Sequence, residues 1–349
     1  MRSPFRFVIG ALAVCALATG ARSARCDDPQ KPVSAAALEQ IHKAVEKGLV
    51  FLREDAAKWR TEKTCSTCHH GTMTVYAFTV AKSQGYDVPA DTMADMVKWT
   101  KDRLLERVDL PRDTRPGWSM VNTSAMNLSV MAQTVPGQEA VTADELKRIA
   151  AHLVRHQEAD GSWAWSSAPP KNRPPPFFES DEVATLLGYI SLGPHVPAKA
   201  EEKSDIRDAR AKGADWLAKT APSDSTQAID YRLLRRVRDG ESPESLKGAI
   251  DELIARQNSD GGWGQLKEAH SDAYATGQAL YILNLAGMKS DRSEVQRAAA
   301  FLVSTQKEDG SWPMTPRSHA EATPAKNPVP ITYFGSAWGT IGLARSFPK

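Results

Sequence analysis

Cysteine is nearly absent from this chain, with four among 349 residues. Cys15 lies in the N-terminal apolar run and Cys26 just beyond it, which leaves Cys65 and Cys68 for the body of the protein. So few exclude a scaffold built on a disulfide framework. An excess of one charge is missing too. Formal net charge is +2, and removing residues 1–23, which hold Arg2, Arg6 and Arg22, leaves −1. No strong field remains to draw in nucleic acid or an anionic membrane surface. Arg232, Arg235, Arg236 and Arg238 form a local basic run, which reads as a solvated helix face. Past the N-terminus there is no apolar run long enough to span a bilayer, and no series of alternating strands. With 41% hydrophobic residues, the chain can bury one large core or two smaller ones.

The first residues have the make-up of an export signal. Arg2 and Arg6 are basic, Phe7 to Thr19 is apolar, and Ala21-Arg22-Ser23 offers a small-x-small cleavage site. Leu12 to Cys15 is a poor lipobox, because Val14 is large for the residue before a lipidated cysteine. The expected organisation is a signal peptide over 1–23, a short linker over 24–35 and a single domain over 36–349. The expected location is periplasmic or secreted, an oxidising compartment.

The body repeats itself. Gln157 to Trp163 (QEADGSW), Gln257 to Trp263 (QNSDGGW) and Gln306 to Trp312 (QKEDGSW) are near copies, spaced at one or two periods of about 50 residues. Each ends an amphipathic helical pattern, such as Arg297 to Leu302 before Gln306. Lys47 to Leu52 and Lys212 to Leu217 look like the same helix without the ending. After each comes a loop and a second, more apolar helix with small residues. First helices are expected near Ala36, Asp91, Thr142, Asp205, Pro243 and Asp291. Second helices are expected near His69, Asn122, Ser180, Asp224, Ser271 and Thr332. Six helical hairpins predict an all-α protein. Their closed arrangement is an α6/α6 toroid with the second helices in an inner ring.

The three Q-x-x-D-G-[SG]-W segments resemble the QW repeats of squalene–hopene cyclases. The pairing is similar to the toroids of terpenoid cyclases and protein prenyltransferases, over roughly Ala36 to Lys349. The resemblance implies a structural role for the glutamines and tryptophans, with the glutamine amide tying off an adjacent helix end. It implies little about activity, since such folds host many functions. The Asp-x-Asp-Asp acid motif of protonation-initiated cyclases is missing. Ala273 stands where a prenyltransferase zinc site needs cysteine. The thioester run Gly-Cys-Gly-Glu-Gln is missing as well.

Cys65-Ser66-Thr67-Cys68-His69 has the spacing for covalent attachment of haem c. Two thiols add across the porphyrin vinyl groups and the following histidine is placed as an axial iron ligand. Two other readings stay open: a Cys65–Cys68 disulfide, and zinc held by the thiolates with His69 or His70. Neighbouring histidines on a helix are expected to point different ways. The motif falls between the first outer and first inner helix, on the face shared by all the QW loops and by two long proline-rich loops. His70, Asp181, Asp224, Asp272 and Tyr333 fall near inner-helix starts on that face. For Asp181 and Asp272, N-capping competes with a catalytic role; for His70, a surface position competes with proton donation. The sixth iron ligand is open among His319, His270, Met314 and Met120, with His319 the first candidate. The leading expectation is a haem-c-bearing toroid acting in electron transfer or in redox chemistry on a cavity ligand. Its partner would be a redox protein or an apolar small molecule. The alternatives are a cyclase- or prenyltransferase-like enzyme on an isoprenoid, with Asp181 or Asp272 as acid, and a binding scaffold without catalysis.

Overall fold

The computed structural model describes residues 32–63, 67–111, 118–164, 178–199, 203–313 and 329–349. The expected signal peptide, Cys65, Met314 and His319 lie outside the described residues, as do the side chains of Cys68 and Met120.

Twelve α-helices alternate along the described residues as the repeats require. The first members of the pairs are α1 (Ala35–Glu62), α3 (Ala90–Val108), α5 (Ala143–Arg155), α7 (Asp205–Lys219), α9 (Pro243–Ile254) and α11 (Ser293–Thr305). The second members are α2 (Thr72–Ser83), α4 (Trp118–Thr134), α6 (Phe178–Leu192), α8 (Thr226–Arg238), α10 (Ala273–Leu285) and α12 (Val329–Ser346). The second helices pack in chain order, and α12 returns against α2 to close an inner ring. Their sequences explain the placement. In α2 and α10, Thr72 to Ala81 and Ala275 to Leu283 are buried on every face. On α5 only Ile149, Ala150, His152 and Leu153 are buried, one stripe of an amphipathic outer helix. Small residues let the inner backbones crowd. A Cβ on Gly277 of α10 would collide with the backbone of Trp338 on α12.

The three repeated endings are three copies of one joint. Trp163, Trp263 and Trp312 are buried, and each indole Nε1 donates to the carbonyl of Leu153, Leu253 or Leu302 at 2.8 Å. Those carbonyls belong to the last turns of α5, α9 and α11 and each also accepts a backbone N–H, so the indole adds a second donor at a helix end. The glutamines reach an adjacent helix, as expected, but they donate to a carbonyl of its N-terminal half and do not tie off its end. Gln157 Nε2 donates to Ala209 O of α7 at 2.7 Å, Gln257 Nε2 to Glu294 O of α11 at 2.8 Å, and Gln306 Nε2 to Ala44 O of α1 at 2.9 Å. The last of these fastens α11 to α1. Gly161, Gly261 and Gly310, with φ of +96°, +91° and +86°, press onto the backbone of the same helices. A short two-stranded pairing, Trp263–Gly264 with Ser271–Asp272, finishes one of these loops.

Candidate functional site

The Cys-x-x-Cys-His segment lies where expected, between α1 and α2. Residues Thr67–Gly71 form one wide helical turn (i to i+5) that runs into α2. This turn carries His69 and His70 side by side, and their Nδ1 atoms meet in a hydrogen bond. The expectation that the two rings diverge is therefore overturned; the wider turn brings them onto one side of the chain.

His70 is fully buried, which excludes the surface position. Its ring stacks on Trp59 at 4.3 Å and is covered by Tyr333 at 3.8 Å. Its Nε2 lies 2.9 Å from Asp55 Oδ2. Asp55 and Trp59 are one turn apart on α1, so a single helix face supplies both the carboxylate and the indole. The Tyr333 hydroxyl donates to Leu52 O at 2.8 Å and meets Thr74 Oγ1. His69 is 7% exposed, with Trp59 edge-on at 4.9 Å and Phe334 edge-on at 5.8 Å. Burial, and then the neighbouring His70, push the His69 pKa down to about 3, so its ring is neutral.

The Asp55 carboxylate accepts, so His70 Nε2 carries a hydrogen. With His70 neutral, its Nδ1 accepts from His69 Nδ1, and His69 Nε2 keeps a bare lone pair. That nitrogen has no hydrogen-bond partner among the described residues. Metal-bound histidines are held in this way, with the second ring nitrogen donating to an outer partner that sets the tautomer and raises ligand basicity. The donor set fits an iron porphyrin: a neutral imidazole presenting Nε2, aromatic edges from Trp59 and Phe334 beside it, and two cysteines at the attachment spacing. Among the described residues no group of three His, Cys, Asp or Glu side chains is gathered as a metal cage.

The other candidates resolve differently. Asp272 caps α10, accepting from Ala275 N at 2.8 Å and from Gln265 Nε2 at 2.6 Å. Asp181 does not cap; α6 begins at Phe178, so Asp181 sits inside its first turn. Asp224 pairs with Arg256, and His270 is exposed on the loop before α10. The basic run is a half-buried, ion-paired stretch of α8, with Arg235 on Asp239 and Arg236 on Glu241, while Arg232 reaches the buried Glu182 at 2.7 Å. No side chain is brought to His69 as a sixth ligand among the described residues. Asp55 and Trp59 were missed by sequence reasoning. Their only signal was an acid and an aromatic one turn apart just before the motif.

The comparisons with known proteins agree with this architecture. The family model described as "Squalene-hopene cyclase N-terminal domain" matches residues 204–305, that is, α7 through α11. The squalene–hopene cyclase of Zymomonas mobilis is 34% identical over 98 residues, 28% of this chain and 15% of that protein. The copalyl diphosphate synthase of Streptomyces cyslabdanicus is 29% identical over 140 residues, 39% of this chain and 26% of that protein. The alignments thus span about a quarter or less of these relatives' length. Among solved structures, the type II terpene cyclase MstE from Scytonema superposes with a TM-score of 0.51 at 15% identity, covering 89% of this chain and 99% of that one. The protein is an all-α toroid of terpene cyclase-like fold. No helix among the described residues is long and apolar enough to cross a membrane.

Proposed function

We propose that the protein is an exported haem c protein built on a terpene cyclase-like toroid, serving electron transfer or redox chemistry on a ligand of the inner ring. The observation that carries this reading is the Asp55–His70–His69 chain, which presents His69 Nε2 as a neutral donor directly after the Cys65–Cys68 spacing. Cys65 and Cys68 would hold the porphyrin and His69 would ligate the iron, which when bound supplies one-electron chemistry. The protein's own contribution is orientation. Asp55 holds the His70 tautomer, His70 holds the His69 ring, and Trp59, Tyr333 and Phe334 keep water from both. The test is an optical spectrum of the purified protein, produced in an exporting host with haem c maturation and denatured in alkaline pyridine with dithionite. A reduced band near about 550 nm that survives acid-acetone extraction is expected. A colourless protein from that host would overturn the reading.

A second reading is favoured by the fold and the relatives: an apolar isoprenoid ligand inside the ring. It predicts binding of such molecules by a colourless protein. Asp272 is a poor acid for it, because one carboxylate oxygen caps α10 and the other accepts from Gln265 Nε2.

A further inference from the structure

The inner ring contains polar atoms that neither the haem reading nor the QW joints use. Asp230 of α8 has no exposure, and neither carboxyl oxygen has a hydrogen-bond partner among the described residues. Gln278 of α10 is 1% exposed, and neither its oxygen nor its nitrogen has a partner there. Leaving a buried polar group unmade costs about 1–3 kcal/mol each, and native interiors rarely carry several together.

Helix geometry puts the two residues on the facing sides of a helix pair. Gln227 Nε2 of α8 donates to the Tyr274 hydroxyl of α10 at 2.7 Å, which fixes the facing sides. Asp230 follows Gln227 by three residues and Gln278 follows Tyr274 by four, so both stay on those sides one turn deeper. At about 1.5 Å of rise per residue, both lie some 6–8 Å below the ring's loop-bearing face. Tyr231, whose phenol senses Asp230, Tyr274 and Tyr281, adds an aromatic wall. The cation nearest to it in sequence, Arg232, is committed to Glu182. With desolvation alone acting on it, the Asp230 carboxyl is held uncharged.

We infer that Asp230 and Gln278 form a binding site inside the toroid for the uncharged hydroxyl of an apolar alcohol. A protonated carboxyl and a carboxamide each offer a donor and an acceptor, and a hydroxyl both gives and takes a hydrogen bond. An anionic head is disfavoured, because among the described residues no cation is brought to the buried Asp230 carboxyl. The site thus differs from what the name of a diphosphate-producing relative suggests. The inference deepens the second reading above by naming the head group and does not depend on haem.

The experiment compares farnesol with farnesyl diphosphate, which share a chain and differ in the head. Binding is measured by calorimetry on the purified full chain, whose haem content is recorded separately. Farnesol is expected to bind at least tenfold more tightly than the diphosphate. Asp230→Leu and Gln278→Leu should each weaken farnesol at least tenfold while keeping or raising the melting temperature. Asp230→Asn should stay within threefold of wild type. Equal binding of both probes, no binding of farnesol, or leucine variants that bind as wild type would overturn the site. Leucine variants that lose stability without losing affinity would overturn it too, in favour of buried water alone. A coloured protein that fails here keeps the haem reading, and a colourless one that binds farnesol keeps this site.

Discussion

Replacing Gly261 by alanine tests whether the QW joint holds neighbouring hairpins together by close backbone approach. Gly261 has φ of +91°, and a Cβ there would sit 2.6 Å from the carbonyl oxygen of Arg297 on α11. The left-handed backbone alone costs an L-residue about 1–2 kcal/mol. Forcing a methyl group into a filled contact adds about 1–3 kcal/mol, because the obstacle is the backbone of a packed helix and cannot swing away. Gly240 is the control. Its φ is +78°, yet nothing lies within 4 Å of the added Cβ. Gly240→Ala should therefore cost about 1–2 kcal/mol and Gly261→Ala about 2–5 kcal/mol. For a chain of this size the unfolding entropy is about 0.6–0.7 kcal/mol per degree. The melting temperature should fall by roughly 2–3 °C for the control and 3–8 °C for Gly261→Ala. Urea unfolding followed by far-ultraviolet circular dichroism measures both, provided the slope with denaturant is unchanged. If the two variants cost the same within about 0.5 kcal/mol, the close approach to Arg297 contributes nothing and the reasoning fails.

Two further outcomes follow from buried groups. Glu182→Ala should cost about 2–4 kcal/mol, since it strips a buried carboxylate from Arg232 at 2.7 Å and from Ser223 N at 2.7 Å; a loss below about 0.5 kcal/mol in urea unfolding would show the pair to be incidental. Asp230 sets a pH trend of unusual sign. Unfolded, it ionises near about pH 4, whereas folded it keeps its proton to much higher pH. The stability this group contributes is thus fully present below about pH 4 and drains as pH rises, by up to about 1.4 kcal/mol per unit. Measured from pH 5 to pH 7, wild type should lose ground to Asp230→Asn, and a gap constant with pH would refute the buried neutral acid.

Much of the ring was legible before any coordinates. The repeat period set the number of hairpins, and helix starts expected at Asp91, Thr142, Asp205 and Pro243 match helices beginning at Ala90, Ala143, Asp205 and Pro243. These were readable because a cap residue and an amphipathic stripe are local features. Partners across the ring were not. Asp55 reaches His70 only because α1 runs on to Glu62 and the motif turn is wide enough to place both histidines together. Asp230 looks in sequence like one more acid beside a basic run, and only closure of the inner ring buries it.

Two hairpins that lack the QW ending carry the histidine pair and Asp230, and for the histidine pair the joint shows how. In α6, α10 and α12 the backbone N–H of a QW tryptophan donates to Thr185, Thr276 or Ser336 at 2.9–3.0 Å. Thr185 and Ser336 in turn donate to Asp181 O and Thr332 O, four residues earlier. Thr74 of α2 makes the same backward bond, to His70 O, but no tryptophan arrives; the Tyr333 hydroxyl meets it instead. His70 therefore occupies the position of Asp181 and Thr332 in a hairpin whose loop is not plugged by an indole. The α7–α8 hairpin has no QW ending either, and Asp230 lies in it. Three locked joints hold the ring, and the turn before α2, which has no such joint, carries the histidine pair.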